Sequence, residues 1–177
     1  MNGRLDTRFA AHVIRNYYYD GIASIKDVES NFDGTDKSLE ILDWSSQLTQ
    51  EKEEKQEKYV NQIKDLELFE VRLGRHVLST AGGIENRKNW SWRQKGVDSL
   101  IAIDMITKAY EGQYNTAILL AGDADFVEIV NAIKNTGANV VGAYFQNHIS
   151  QELEYVLDKK IQLTEGDLLN QKIIHDN

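Results

Sequence analysis

Two aspartates, Asp123 and Asp125, follow directly on the apolar run Ala117-Ile118-Leu119-Leu120-Ala121, within Gly122-Asp123-Ala124-Asp125-Phe126. A third, Asp98, comes just after Lys95-Gly96-Val97, at the head of a helical pattern. Carboxylates gathered at strand ends offer the hard oxygen donors that Mg²⁺ or Mn²⁺ takes without a dedicated cage. Such an ion lowers the pKa of a bound water and stabilises the charge that builds on a phosphate during in-line attack. Each acid also has a plain structural reading. Asp125-x-x-Glu128 has the spacing of a capping box, and Asp98 suits the positive end of a helix dipole. Residue type and spacing leave both readings open. Asp104 is a weaker candidate, because six positions on from Asp98 it is rotated about 240° around a helix.

A second constellation is cationic. Arg72, Arg75, Arg87, Lys88, Arg93 and Lys95 stand against the single acid Glu85, giving this stretch a net charge of +5 in a chain of −8. Trp90 and Trp92 are interleaved with these cations, and Gly82-Gly83 loosens the loop before them. A surface hairpin with ordinary cations explains the pattern. So does a strip in which Arg87, Lys88, Arg93 and Lys95 grip phosphates while Trp92 offers a ring to an unpaired base. The place of the strip immediately before Asp98 favours the second reading.

The elements that must carry these residues are legible from periodicity. Val97, Leu100, Ile101, Ile103 and Ile106 predict one helix, and Phe126, Ile129, Val130 and Ile133 another. Between them Ala117–Ala121 is an unbroken apolar run, the mark of a strand buried on both faces in a parallel sheet. A second run, Asn139–Phe145, follows the second helix. The acids thus fall at a strand's C-terminal end, where open α/β sheets bind their ligands. Upstream, Arg4–Arg15 predicts an amphipathic helix and Tyr17-Tyr18-Tyr19-Asp20 a strand. The segment Gln47–Leu66, with its EKEEKQEK run, predicts a solvated helix that shows Tyr59, Ile63 and Leu66 to the core. Leu68–Leu73 alternates as a strand with one wet face.

Bulk properties bound the rest. The 177 residues suit a single domain over 1–177 with an acidic helical insertion around 26–66. There is no apolar run long enough to span a bilayer and no signal-like N-terminus, so a cytoplasmic protein without membrane contact is expected. The chain has no cysteine, which excludes disulfides, thiolate metal sites and a cysteine nucleophile. Four histidines lack ligand spacing, and surface or interfacial roles are expected of them. No glycine-rich phosphate loop and no nucleophile elbow occurs. Asp123-x-Asp125-x-Val127 has the form of an aspartyl-phosphate motif, but it falls late in the chain with no downstream acidic pair.

Lys95-Gly96-Val97-Asp98, Asp104, the run TAILLAGDADF ending at Phe126, and Ile133–Phe145 together resemble the NYN domain of the LabA/DUF88 type, a relative of the PIN nucleases. Tyr17–Asp20, with Asp20 a further candidate, and Phe69–Gly74 extend the resemblance over most of the chain. It implies a Rossmann-like three-layer α/β/α sandwich with a mainly parallel sheet. It also implies a metal-dependent ribonuclease in which Asp98, Asp123 and Asp125 hold Mg²⁺ or Mn²⁺. RNA is then the expected partner, with a homo-oligomer or a protein partner as further expectations. A non-catalytic RNA-binding or protein-interaction module on the same fold is the competing reading.

Domains of this type begin with a central strand ending in aspartate. Here Met1-Asn2-Gly3-Arg4 stands where the following helix should begin, so a late chain start or a degenerate family member is expected. Unpaired edges along Tyr17–Asp20 and Thr116–Ala121, self-association and weak cleavage go with that reading.

Overall fold

A computed structural model describes residues 13–23, 52–79 and 91–167. The chain divides into two compact units, Met1–Leu100 and Ile101–Asn177. Both are mixed α/β, with parallel strands alternating with helices, as the periodicity predicts.

In the first unit, β1 (Asn16–Ala23) is rich in tyrosine, which suits a pleated surface. It pairs in parallel with β2 (Phe69–Ser79), Tyr18 opposite Val71 and Asp20 opposite Leu73. A parallel pair needs a crossover, and helix α1 over residues 52–64 lies within it. β2 then pairs antiparallel with β3 (Ser91–Lys95), Arg75 opposite Lys95 and Val77 opposite Arg93. Gly96 takes φ of +84°, which only glycine adopts freely, and turns the chain from β3 into α2 (Val97–Tyr110). The division between the units falls inside α2.

Helix α1 corrects one expectation. Val60 and Ile63 are its buried residues, whereas Tyr59 is 52% exposed and Leu66 45%. Leu66 lies beyond the last helical residue and so leaves the apolar stripe. Tyr59 instead sets its ring edge-on to Tyr18, with centroids 5.8 Å apart. Glu54, Lys55, Glu57 and Lys58 form the expected solvated face, but Lys52 and Gln56 turn inward and are half-buried. The predicted helix over 4–15 lies outside the described residues as far as position 12, and residues 13–15 have no regular structure.

The second unit is a parallel sheet in the order β4 (Thr116–Leu120), β5 (Asn139–Phe145), β6 (Lys159–Leu163). Helix α3 (Val127–Lys134) connects β4 to β5, and α4 (Gln151–Val156) connects β5 to β6. Phe126, Val130 and Ile133 recur at helical spacing and pack with Leu119, Val140, Leu153 and Leu157 into one core. Asp158 pins the sheet to α3: its carboxylate accepts from the Val140 amide at 2.8 Å and pairs with Lys134 at 3.0 Å. Burial pushes the Asp158 carboxyl up, but these two donors outweigh it and hold the carboxyl below its ordinary value.

The strand buried on both faces is β5, not β4. In β5 Val140, Val141, Gly142 and Ala143 are all buried, because it has a neighbour on each side. β4 is the end strand of its sheet. Leu119 turns into the core, while Ile118 is 52% and Leu120 66% exposed. β1 is likewise an end strand of its own sheet among the described residues. Among those residues no helix is long and apolar enough to cross a membrane.

Ile133 has no exposed surface, so Ile133→Ala should cost about 2–5 kcal/mol in equilibrium denaturation. Ile103 is 61% exposed, and Ile103→Ala should stay within about 0.5 kcal/mol of the parent.

Candidate functional site

β4 delivers Asp123 and Asp125 to the C-terminal edge of its sheet. Asp123 has extended backbone, φ −78° and ψ 139°, and caps a single 3-10 turn, Ala124–Phe126. Its Oδ1 accepts from the Asp125 amide at 3.0 Å. Phe126 is 3% exposed and anchors that turn from below, so both carboxylates stand in solvent. The capping acid is therefore Asp123 and not Asp125. Glu128 falls instead in the first turn of α3, which begins only after the 3-10 turn.

The loop after β5 lies directly on this turn. A Cβ built on Gly122 would sit 1.8 Å from the His148 carbonyl oxygen, so no other residue fits there without displacing backbone. The Ser150 amide donates to the Gly122 carbonyl at 2.8 Å. Ser150 also caps α4 by accepting from the Leu153 amide at 3.2 Å. Two strand-end loops are thus clamped to each other, with the acid pair beside the clamp.

Asp98 stands exposed in the first turn of α2, as expected, and belongs to the first unit. Asp104 is half-buried and pairs with Lys108 one turn on at 3.5 Å, which gives it a structural task. Among the described residues no three histidine, aspartate or glutamate side chains form a group that can hold a metal ion. Asp123 and Asp125 nevertheless offer the kind of donor set that Mg²⁺ or Mn²⁺ uses, one or two carboxylates completed by waters and substrate phosphate.

The cationic stretch is a β-hairpin limb. Arg93 and Lys95 are exposed on β3. Arg72 pairs with Glu70 at 2.9 Å and lies 5.8 Å from the Tyr17 ring. Trp92 is half-buried, with the Lys52 ammonium 5.0 Å over its ring. Arg87, Lys88 and Trp90 lie outside the described residues.

A polar group around Asp20 was legible only in part. Asp20 Oδ1 accepts from the Gly21 amide and from Gln94, each at 2.7 Å, and Oδ2 from the Tyr18 hydroxyl at 3.0 Å. Gln56 donates to the Gly21 carbonyl at 2.7 Å and its amide nitrogen lies 3.2 Å from His76 Nδ1. His76 is 8% exposed, so of the surface or interfacial roles expected of the histidines the surface one does not hold for it. Burial raises the Tyr18 hydroxyl, with the bond to Asp20 adding to the shift. Burial lowers Lys52, against a partial pull upward from Asp20. Burial also lowers His76, helped by Lys52 and opposed by Asp20. The available signal was the spacing of Lys52, Gln56, Val60 and Ile63, which extends the apolar stripe of α1 with two polar residues.

The NYN domain family matches residues 42–164. The chain belongs to the NYN domain family. NYN domains fall within the PIN-like nuclease superfamily. A solved protein of unknown function from Vibrio parahaemolyticus is similar, with 20% identity and a TM-score of 0.48 over 88% of this chain and 97% of that chain. A search of curated proteins finds no match.

The clamp at Gly122 makes a sharp expectation. Gly122→Ala should cost about 1–3 kcal/mol, the usual range for forced overpacking. Amide resonances of residues 122–126 and 146–150 should shift together, because one backbone contact governs both loops.

Proposed function

We propose that this NYN domain, of the LabA/DUF88 type, is a metal-dependent ribonuclease acting on single-stranded or structured RNA. The observation that carries the reading is the exposed Asp123–Asp125 pair, built at the C-terminal end of a parallel strand in a chain of this family. In this reading residues 1–177 form one cytoplasmic domain, and Asp98 joins Asp123 and Asp125 in holding Mg²⁺ or Mn²⁺. When bound, the ion supplies positive charge against the phosphate and acidifies a water. The chain's own part is to fix carboxylate positions through the Asp123 cap and the Gly122 clamp. Arg93 and Lys95, with Arg87 and Lys88, grip the RNA backbone. Trp92, under Lys52, backs that strip.

A second reading is an RNA-binding or protein-interaction module without catalysis, which the exposed Arg93 and Lys95 on β3 would serve equally well. One substitution separates the two. Asparagine caps a helix as well as aspartate, so Asp123→Asn should leave stability within about 0.5 kcal/mol. Its cleavage of single-stranded RNA with Mn²⁺ should nevertheless fall roughly 100-fold or more, and EDTA should abolish the parent's activity. Retention of RNA without cleavage by the parent, indifferent to EDTA, supports the binding module instead.

The strip has its own test. Arg93→Ala with Lys95→Ala should weaken RNA binding and lower the salt slope by about 1.4, two phosphate contacts on a single strand. Glu54→Gln with Glu57→Gln on the solvated face of α1 should do neither. Equal effects from the two pairs, measured by binding titration at several salt concentrations, would remove the strip from the interface.

A further inference from the structure

The side chain of Gln56 makes two contacts from one atom. Its amide nitrogen carries two hydrogens; one goes to the Gly21 carbonyl at 2.7 Å, and the other points to His76 Nδ1 at 3.2 Å. The second contact is a hydrogen bond only while Nδ1 keeps a lone pair, which is the neutral imidazole with its proton on Nε2. The other edge of the ring lies against β1. A Cβ on Gly21 would come within 3.0 Å of His76 Cδ2, 3.1 Å of Nε2 and 3.0 Å of the Arg75 carbonyl. Any side chain there would press on the ring, which would have to give by a few tenths of an ångström.

A protonated ring breaks this arrangement. Nδ1–H would then face an N–H of Gln56, donor against donor. Flipping the Gln56 amide would give the ring an acceptor but set the amide oxygen against the Gly21 carbonyl. No orientation of Gln56 serves a charged imidazole and the Gly21 carbonyl together. The charged groups around the ring add to the conflict. Lys52 from α1 opposes a second cation and Asp20 from β1 partly offsets it, whereas Arg75 and Lys95, one register position away on β2 and β3, alternate to the opposite face of the sheet. Gln94 lies opposite His76 and is engaged with Asp20.

We propose that Gln56 and His76 form a proton-operated latch, which holds α1 on the β1–β2–β3 sheet while the imidazole is neutral and releases it on proton uptake. The consequence is specific because Lys52, Gln56, Val60 and Ile63 share the docked side of α1. Losing Gln56 loosens the first turns of the helix and lifts Lys52 from the Trp92 ring. The inference does not depend on the ribonuclease reading. The sign follows from linkage: a histidine whose folded-state pKa is depressed contributes stability that is fully present above the unfolded value of about 6.5 and is lost as pH falls through the folded value.

The test is a pH titration of the full ¹⁵N-labelled chain by NMR from pH 8 to 5. It follows the His76 ring nitrogens and the amide exchange of residues 53–64, corrected for intrinsic exchange rates. The expected result is an unprotonated Nδ1 at pH 7.5. Helix protection should then fall by up to about tenfold per pH unit, the limit for one proton, in step with proton uptake at His76. His76→Phe should remove that step. Should this variant not fold, the titration of the parent decides alone. A protonated Nδ1 at pH 7.5, or helix protection unchanged while His76 titrates, would overturn the proposal.

Discussion

The packing of α3 and α4 on the face of the β4–β5–β6 sheet is the contact on which the candidate active site depends. Val130, Ile133, Val140 and Leu153 have no exposed surface, and together they fix both helices to one sheet. Phe126 enters the same core from the turn before α3. With Phe126 held, the chain between β4 and α3 has little freedom, and Asp123 and Asp125 are presented in one orientation. Apolar burial is not directional. It acquires direction here because the buried ring and the two acids are neighbours in sequence.

The acids divide by what surrounds them. Asp123 and Asp125 lie in solvent beside a backbone clamp, with oxygen lone pairs left for a ligand. Asp20 spends its lone pairs on three donors of the protein itself, and Asp104 is tied to Lys108. A carboxylate fully engaged within its own fold has little left to offer a metal or a substrate. Hydrogen-bond accounting thus separates the exposed pair from the two acids that resemble it in sequence.

The first unit is held by a different balance. Its helix docks through Val60 and Ile63, but also through Gln56 and Lys52, which meet Asp20, His76 and Trp92. Polar groups in such a place are costly unless each finds a partner. Gln56 satisfies two acceptors at once, and that economy ties the docking of α1 to the protonation state of one imidazole. The same hairpin limb carries Arg93 and Lys95 outward, so the exposed cations stand on a strand whose other residues are committed to the unit.

Much of this was determined by sequence alone. The alternation of helical and apolar stretches gave the second unit its order of elements. Phe126, Val130 and Ile133 were readable as core from spacing, and the acids followed because they sit directly after a strand. What sequence could not decide was which strand ends the sheet. Ala117–Ala121 and Asn139–Phe145 are equally apolar runs, yet Ile118 and Leu120 are exposed while β5 is covered on both faces. Composition records a preference for burial; only the strand order says which residues receive a neighbour. The same holds for the capping acid, since Asp123 and Asp125 are the same residue type two positions apart. It holds for His76 as well: nothing local to a lone histidine on β2 shows that Gly21 and Gln56, distant in the chain, will close around it. Local periodicity fixes the elements, whereas contacts between residues far apart in sequence exist only once those elements have packed.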